Sequence, residues 1–246
     1  MDRLIYTAAT GAKHILEQQA TTSNNLANLS TTGFRAQLDT FRAVPVVSEG
    51  LPTRAFVVDN TIGADFTAGP MQVTGRDLDV AIKGPGWIAV QMQDGTEAYT
   101  RNGSLQISPN GILQTANGQT VMGEGGPIAI PPNTTVSVGK DGSISSLTTD
   151  TVPATSTVVG RLKLVNPDQK QLVRGDDGFF RMQDGSSAQA DPALTVTSGT
   201  LEGSNVSAVD SMVNMISLAR SLETQMSLLK NAENNAAKAT QILALT

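Results

Sequence analysis

The chain has 246 residues, long enough for one large domain or two smaller ones. Its net charge is −5 and it has no basic cluster or basic amphipathic face, which disfavours nucleic acids and anionic lipids as partners. It contains one histidine and no cysteine, so disulfides, thiol catalysis and metal sites built from cysteine or several histidines are excluded.

Residues 1–34 are predicted to form an N-terminal helix and its cap. Gly33 has the position of the left-handed residue that ends a helix, and Phe34 that of the hydrophobic contact after it. Before them, small, apolar and a few polar residues recur at alternating steps of three and four, the heptad pattern of a helix that packs along one stripe. The stripe consists of Ile5, Ala8, Ala12, Ile15, Gln19, Thr22, Leu26 and Leu29.

Residues 35–74 are predicted to be an extended connector with a few strands, because Pro45, Pro52, Gly63 and Gly69 interrupt it. Residues 75–200 are predicted to form a central antiparallel β domain, a barrel or a sandwich, in which short apolar runs alternate with hairpin-type turns. The predicted strands are 78–82, 87–92, 104–107, 111–114, 135–138 and 158–165. The turns are Asp94-Gly95, Asn102-Gly103, Asn110-Gly111, Asn117-Gly118, Asp141-Gly142 and Asp184-Gly185.

Residues 201–246 are predicted to form a long C-terminal helix, with Ser207 as N-cap and Asp210 completing a capping box. Its heptad stripe consists of Met212, Met215, Ala219, Leu222, Met226, Leu229, Glu233, Ala236, Thr240 and Leu243. The predicted fold is therefore α+β, with the terminal helices pairing as a coiled-coil-like core. The stripes contain many small and polar residues, so two readings stay open: a coiled coil that staples the termini, or close packing among helices of many chains.

Residues that could carry chemistry are sparse. Residues 84–89 match the dinucleotide-binding fingerprint formally, but the run continues as a strand and predicts a tight turn. Asp77 and Asp79 lie two apart, the spacing of paired carboxylates on one strand face, yet a solvated face is the simpler interpretation. His14 is predicted to lie on a helix surface or interface. No catalytic constellation and no cofactor or metal site is predicted.

Two polar runs remain, and they carry a family resemblance. Residues 24–35 resemble the N-terminal signature of bacterial flagellar rod and hook proteins, and residues 201–206 with the following helix resemble their C-terminal signature. Residues 78–82, 84–87 and 99–104 are similar to the central β segment of the same family. Further segments look most like the proximal-rod members: 1–6, 34–37, 42–45, 160–165 and 174–179.

The resemblance implies a structural, non-enzymatic subunit of the proximal rod, in the periplasmic part of the flagellar basal body. The partners would be other copies of the chain, other rod proteins and, in transit, the type III export apparatus. No cleaved signal peptide, small-molecule substrate, nucleic acid or direct membrane insertion is expected. A distal-rod or hook-type subunit is the near alternative. A β-domain enzyme such as a glycan hydrolase, or a secreted adhesin, represents a different class.

The predicted assembly interface combines the helical stripes with the two signatures. On the N-terminal side it comprises Ile5, Ala8, Ala12, Ile15, Gln19, Thr22, Asn24, Asn25, Leu26, Asn28, Leu29, Gly33 and Phe34. On the C-terminal side it comprises Glu202, Ser204, Asn205, Val206, Met212, Met215, Ala219, Leu222, Met226, Leu229, Ala236 and Leu243.

Overall fold

A computed structural model describes residues 2–45, 55–148 and 155–243. The chain divides into two compact units. The first, here called the helical unit, comprises residues 1–29, 37–65 and 206–246. The second, the β unit, comprises residues 30–36 and 66–205. The chain passes between the two units four times, at 29/30, 36/37, 65/66 and 205/206.

The helical unit contains helix α1 (Asp2–Ala27), a hairpin of strands β1 (Gln37–Pro45) and β2 (Ala55–Ala64), and helix α2 (Ala208–Leu243). The hairpin pairs Gln37 with Ala64 at its open end and has a register shift between Thr40 and Phe41. Helix α2 begins as its sequence predicts: the Ser207 hydroxyl accepts a bond from the Asp210 amide, 3.3 Å between Oγ and N.

The β unit is built from short strands, and all its strand pairs within sheets are antiparallel. The strands are β3 (Met71–Val73), β4 (Val80–Lys83), β5 (Trp87–Gln91), β6 (Glu97–Thr100), β7 (Leu105–Ile107), β8 (Leu113–Thr115), β9 (Thr120–Gly123), β10 (Gly126–Pro127), β11 (Thr134–Val138), β12 (Ser143–Thr148), β13 (Ser156–Arg161), β14 (Leu164–Val165), β15 (Leu172–Arg174), β16 (Phe180–Met182), β17 (Thr195–Ser198) and β18 (Thr200–Glu202). A 3₁₀ turn, Gln169–Gln171, precedes β15.

A nine-stranded sheet organises this unit in the order β15-β16-β6-β5-β9-β8-β7, with β10 paired to β9 and β14 to β5. A three-stranded sheet, β11-β12-β13, and two ribbons, β17-β4 and β18-β3, complete it. Val80, Ile88, Val90, Leu105 and Leu113 are fully inaccessible to solvent, because alternate strand residues turn into one interior. The apolar core of the described chain therefore lies among these strands.

The predicted coiled-coil-like core of two long terminal helices is wrong. A coiled-coil seam buries large side chains at its core positions. In the described helices, by contrast, the buried apolar side chains are Ala8, Ala12 and Ala232. Met212 and Met226, two predicted seam residues, are 53% and 56% exposed. The large apolar side chains on the packed sides, such as Ile15, Leu218 and Leu222, are only half-buried, so they do not form the enclosed knobs of a coiled coil.

The packed side of α2 differs from the predicted stripe at three positions. Ser211, Gln225 and Ala232 are buried or half-buried, whereas the neighbouring stripe residues Met212, Met226 and Glu233 are exposed. At the position between them, Leu218 and Ala219 are both half-buried. The side chain of Gln225 lies against Gly11 of α1, where a Cβ atom would be 3.5 Å from its Nε2. A Cβ atom at that distance would make an ordinary van der Waals contact, so this part of the helix contact is polar without requiring glycine.

The predicted turn glycines fall into two physical classes. Gly95, Gly111, Gly118, Gly142 and Gly185 have positive φ, as predicted. Asn102-Gly103 was predicted to be a turn with a positive φ at the glycine, but the φ of Gly103 is not positive. A Cβ atom on Gly103 would lie 1.6 Å from the Val80 carbonyl oxygen, so glycine there permits a close approach between backbones.

Candidate functional site

The two polar signatures meet inside the β unit. Gly33 adopts φ +69°, as its predicted role as left-handed residue requires, and its N–H donates to the Glu202 carbonyl oxygen at 2.7 Å. Glu202 ends strand β18, which pairs with β3. The backbone bonds from Gly33 to Glu202 and from Asn205 to Phe34 bring the two signatures, about 170 residues apart in the sequence, into one local structure.

The Glu202 carboxylate is buried between two arginines. Oε1 lies 2.7 Å from Arg35 Nη2, and Oε2 lies 2.9 Å from Arg101 Nη1. The Gly69 N–H also donates to Oε1 at 2.9 Å. All three charged side chains are almost fully removed from solvent, so the site holds two cations and one anion in a low-dielectric interior.

The two arginines differ in how many hydrogen bonds their guanidinium groups make. Arg101 donates to the Gly84 carbonyl at 2.6 Å in addition to its ion pair. Burial lowers the pKa of the Arg101 guanidinium, and the charge of Glu202 opposes that shift. Arg35 reaches Glu202 at ion-pair distance without hydrogen-bond alignment, and none of its side-chain nitrogens makes an aligned bond. The ionic contact is therefore the main compensation for burying Arg35.

Glycines make the site sterically possible. A Cβ atom on Gly33 would lie 2.3 Å from the Arg101 carbonyl carbon, and one on Gly69 would lie 2.2 Å from the Gly203 carbonyl oxygen. Real Cβ atoms do not approach backbone so closely. Both positions require glycine for space, and Gly33 requires it for its backbone conformation as well.

Asn205 connects three of the four places where the chain enters or leaves the β unit. Its Oδ1 accepts a bond from the Ala36 N–H at 2.7 Å, and its Nδ2 donates to the Thr67 carbonyl at 3.1 Å. Its own N–H donates to the Phe34 carbonyl at 3.4 Å. One amide side chain thus joins the segments ending at residue 36, beginning at residue 66 and ending at residue 205. The junction cluster below means Gly33, Arg35, Gly69, Arg101, Glu202 and Asn205.

An arginine–aromatic stack holds the N-terminal signature from another side. The Arg174 guanidinium lies 4.5 Å from the centroid of the Phe34 ring and 5.9 Å from that of Phe180. Its Nη1 donates to the Arg35 carbonyl at 2.8 Å. Burial lowers the pKa of Arg174. Phe180 stacks in turn on Trp87, with ring centroids 4.6 Å apart.

Sequence reasoning identified only part of this site. Gly33, Phe34, Glu202 and Asn205 were among the predicted interface residues, but in the structure they bind other parts of the same chain. Arg101, Gly69 and Arg174 were not predicted as site residues. A signal for Arg101 existed, because this charged residue directly follows Ala98, Tyr99 and Thr100, the three uncharged residues that end strand β6. Its partner could not be read from the sequence.

The predicted helical stripes are distributed over several environments. On α1, Ala8 and Ala12 are buried, Ile15, Gln19, Thr22 and Leu26 are half-buried, and Leu29, past its end, is exposed. On α2, Met215, Ala219, Leu222 and Leu229 are half-buried, and Met212, Met226 and Glu233 are exposed. The side chains of Ile5, Ala236, Thr240 and Leu243 lie outside the described residues. The role of these stripes in assembly stays a prediction.

The asparagines at the end of α1 bind mainly within the chain. Asn25 makes two bonds with the backbone of Gln37 at the start of β1: its Nδ2 donates to the carbonyl at 2.9 Å and its Oδ1 accepts the N–H at 2.8 Å. Asn28 donates to the Asn24 carbonyl at 2.9 Å. Asn25 therefore substitutes for a strand partner at the edge of the hairpin, and Asn28 satisfies a carbonyl at the helix end.

Residues considered for catalysis have structural partners. Asp79 is buried and binds Arg76 and Thr74, both at 2.6 Å. His14 contacts Glu17 at 2.9 Å and the ring of Phe41 at 5.5 Å between centroids. Residues 84–86 form a turn with positive φ at Gly84 and Gly86 before β5 begins. Among the described residues, no group of acidic or histidine side chains has the arrangement of a metal site, and no helix could span a membrane.

Three family models match the chain in sequence order. The model described as "Flagella basal body rod protein" matches residues 5–35, and the "Flagellar hook protein FlgE/F/G D1 domain" model matches 81–146. The model described as "Flagellar basal body rod FlgEFG protein C-terminal" matches 197–242. Every residue of the junction cluster except Gly69 falls inside one of these matches.

Similar full-length proteins carry the same description. The flagellar basal-body rod protein FlgF of Escherichia coli is 50% identical over 252 residues, covering 100% of both chains. The FlgF of Salmonella typhimurium is 46% identical with the same coverage. The flagellar basal-body rod protein FlgG of Buchnera aphidicola subsp. Schizaphis graminum is 30% identical over 89% of this chain and 92% of its own.

Proposed function

The chain belongs to the family of flagellar basal-body rod proteins, and we propose that it is a structural subunit of the proximal rod, part of the shaft that transmits torque from motor to hook. The observation that carries the proposal is the 50% identity to the FlgF of Escherichia coli over the full length of both chains. The proximal position is favoured over a distal one because the FlgF of Buchnera aphidicola subsp. Schizaphis graminum matches 98% of this chain, whereas the FlgG of the same organism matches 89% of it.

Partners and location follow from a place in the rod. The chain assembles with other rod proteins and with copies of itself in the basal body. It reaches that place through the flagellar type III apparatus without cleavage of a signal peptide. The work of such a subunit is mechanical, and family membership supports a non-enzymatic role.

Assembly uses the terminal helices, with the stripe residues predicted above as contacts to neighbouring helices. Two features of the helical unit support this. The described part of the helices buries only alanines among its apolar side chains, so these helices retain large apolar residues for other chains. Family models also match both ends of the chain, residues 5–35 and 197–242.

The junction cluster transmits load between the terminal segments and the β unit. Glu202 and Asn205 tie the segments ending at residues 36 and 205 and the one beginning at residue 66 to one another. The charge-assisted hydrogen bonds that Arg101 and the Gly69 N–H donate to Glu202 require a specific geometry and therefore resist sliding of one strand along another. Torque that enters along any of the three segments is therefore shared by all of them.

Fractionation of cells tests this function. A strain lacking the gene is complemented with the tagged chain, and basal bodies are purified and labelled with gold against the tag. We expect non-motile cells without the chain, restored swimming with it, and label on the rod. Basal bodies without the chain in swimming cells would refute the proposal. Release of peptidoglycan fragments by the purified chain would instead favour a hydrolase.

A further inference from the structure

Three Asn-Gly pairs of the β unit, each predicted as a turn, also carry reactive chemistry. They are Asn102-Gly103, Asn110-Gly111 and Asn117-Gly118. In such a pair the backbone nitrogen of the glycine can attack the side-chain carbonyl carbon of the asparagine, because glycine has no Cβ atom to obstruct the approach. The attack requires the backbone between the two residues to rotate. The three pairs share the same local sequence, so the way the fold holds each glycine decides which of them reacts.

The first pair is fixed on both sides. Gly103 is buried, and its carbonyl accepts the Val80 N–H at 2.9 Å. A Cβ atom on Gly103 would lie 1.6 Å from the Val80 carbonyl oxygen, so the two backbones are in close contact. The Oδ1 atom of Asn102 accepts the Ser104 N–H at 3.0 Å, which holds the side chain as well. Rotation at this pair would detach Gly103 from strand β4, and the pair is therefore protected.

The second pair is held by its glycine alone. Asn110 is exposed, but the Gly111 N–H donates to the Ser108 carbonyl at 2.9 Å and the Gly111 carbonyl accepts the Ile130 N–H at 2.7 Å. A Cβ atom on Gly111 would lie 2.9 Å from the Ile130 carbonyl oxygen. Rotation here would break a turn bond and a bond to a neighbouring segment, so protection is intermediate.

The third pair lies at the exposed turn between β8 and β9. Asn117 and Gly118 are both exposed, and Gly118 has φ +84°. In the described part of the chain, no atom beyond its chain neighbours lies within 4 Å of the position that a Cβ atom of Gly118 would take. Its N–H donates to the Thr115 carbonyl at 2.9 Å. An exposed turn bond of this kind opens readily, because water can replace it.

We propose that Asn117 is a site of spontaneous deamidation in the folded chain, with water as the co-reactant. The Gly118 nitrogen forms a bond to Cγ of Asn117 and loses its proton, and Nδ2 leaves with that proton as ammonia. Water then opens the cyclic imide. Opening at Cγ gives aspartate, and opening at the main-chain carbonyl carbon gives isoaspartate. Either product places a new negative charge at this turn.

The Asp-Gly pairs of the β unit are poorer candidates for the same ring closure. In each pair the carboxylate accepts a hydrogen bond from the N–H of the residue two positions on. Hydrogen bonding lowers the pKa of all four carboxyl groups. Ring closure needs the neutral acid, since an ionised carboxylate is a poor electrophile. The pairs are Asp94-Gly95, Asp141-Gly142, Asp177-Gly178 and Asp184-Gly185.

The modified chain stays folded, because the turn lies outside the core that its strands build. Leu113 of β8 and Val121 of β9 are fully inaccessible to solvent, whereas the turn between the two strands is exposed. The isoaspartyl form adds an extra atom to the main chain and loosens the bond between Gly118 and Thr115. The modification therefore accumulates in the folded protein as it ages.

Peptide mass spectrometry after ageing tests the site. The purified full chain is incubated at mildly alkaline pH, and samples are digested with trypsin. All three pairs fall in one peptide, 102–140, because no lysine or arginine lies between Arg101 and Lys140. Fragment spectra then assign the loss of amide at each asparagine. We expect Asn117 to convert at least roughly tenfold faster than Asn102, a difference of about 1.4 kcal/mol in barrier, with Asn110 between them.

Incubation in urea supplies the reference for local sequence. In the unfolded chain the three asparagines should convert at rates within about threefold of one another, because the fold no longer holds their glycines. Equal rates at Asn117 and Asn102 in the folded chain would overturn the inference. So would retention of Asn117 in the folded chain while it converts in urea.

Asn117→Gln is the matched variant, since its longer side chain would have to close a larger and less favourable ring. Isoelectric focusing of the aged, folded wild type should show a growing acidic species, whereas the variant should stay a single species for the same time. The conversion of Asn110 and Asn102 should be unchanged in the variant. The same acidic species in Asn117→Gln would place the modification elsewhere and overturn the inference.

Discussion

Replacing Glu202 by glutamine tests whether the buried ionic cluster holds the β unit together. The substitution keeps the shape of the side chain but removes the negative charge between Arg35 and Arg101, which lie 2.7 and 2.9 Å from its oxygens. Both guanidiniums would then remain buried without a counter-ion. Removing one partner of a buried pair costs about 3–5 kcal/mol, because a buried charge is left uncompensated.

The chain supplies a matched control for this substitution. Glu124 pairs with Arg161 at 3.3 Å, but its side chain is 44% exposed. Exposed pairs contribute roughly 0–1 kcal/mol, so Glu124→Gln should have a small effect. The same chemical change is thus made once in the interior and once at the surface of the same unit.

Unfolding in urea, followed by tryptophan fluorescence, measures both variants. Trp87 is the only tryptophan and packs on Phe180 in the β unit, so its emission reports on that unit. For a unit of this size, a loss of about 3–5 kcal/mol corresponds to a drop in Tm of roughly 6–20 °C. We expect Glu202→Gln to lower the unfolding midpoint strongly, with an unchanged denaturant slope.

A difference below about 1 kcal/mol between Glu202→Gln and Glu124→Gln would refute the reasoning, since it would mean that the buried carboxylate is not needed to offset the two arginines. A triple replacement of Arg35, Arg101 and Glu202 by methionine separates two meanings of the result. If stability returns with all three charges removed, the loss in Glu202→Gln came from uncompensated charge and not from a net favourable ion pair.

Two further predictions concern the β unit. Gly33→Ala should destabilise the β unit by roughly 2–4 kcal/mol, because it adds the strain of a left-handed alanine and overpacking against Arg101. Gly75→Ala is the control: Gly75 has φ +73° but open space around it, so the substitution should cost about 1 kcal/mol. Equal urea midpoints for the two variants would contradict the steric argument. Burial raises the pKa of Tyr99 to about 12 from its ordinary value of 10.0, so the folded chain holds this proton longer than the unfolded one. The stabilisation that comes from this retained proton is complete below pH 10 and is lost as the pH rises towards 12. Tyr99→Phe should be less stable than wild type at pH 9, because the Ala188 N–H loses its acceptor at 2.7 Å. The variant should nevertheless lose less of its stability than wild type between pH 9 and 11.

Local features were predictable from the sequence, because they depend on a few neighbouring residues. Ser207 as N-cap, Gly33 as left-handed residue and the turn glycines follow from backbone chemistry that holds in any context. Strands β4, β5, β7, β8 and β11 lie within two residues of their predicted positions, and the predicted run 158–165 overlaps β13 and β14. Alternating apolar residues and turn pairs mark such strands without knowledge of their partners.

Features that depend on distant residues were not predictable. Gly103 looked like a turn glycine because its neighbour is asparagine, but its need for space comes from Val80. The partners of Glu202 lie at residues 35 and 101, and no local pattern connects them. The packed side of α2 was misassigned at residues 212, 226 and 233, because the methionines at 212 and 226 were taken as interior residues. Hydrophobic periodicity identifies an apolar face but not the chain that covers it.

The charged residues at the junction also explain how a weak strand pair keeps its register. The ribbon of β18 and β3 pairs only three residues of each strand, and all three side chains of β3 are exposed. With no buried face on β3, a slip of two residues would leave the apolar pattern unchanged. Glu202 removes that freedom, because only one register places its carboxylate between Arg35 and Arg101 and beside the Gly69 N–H. We infer that the ion pairs select the register, so Glu202→Gln should speed amide exchange at Gly69 and Gly33 more than at Val90 in the core. Equal acceleration at all three amides would show that the variant loses global stability alone.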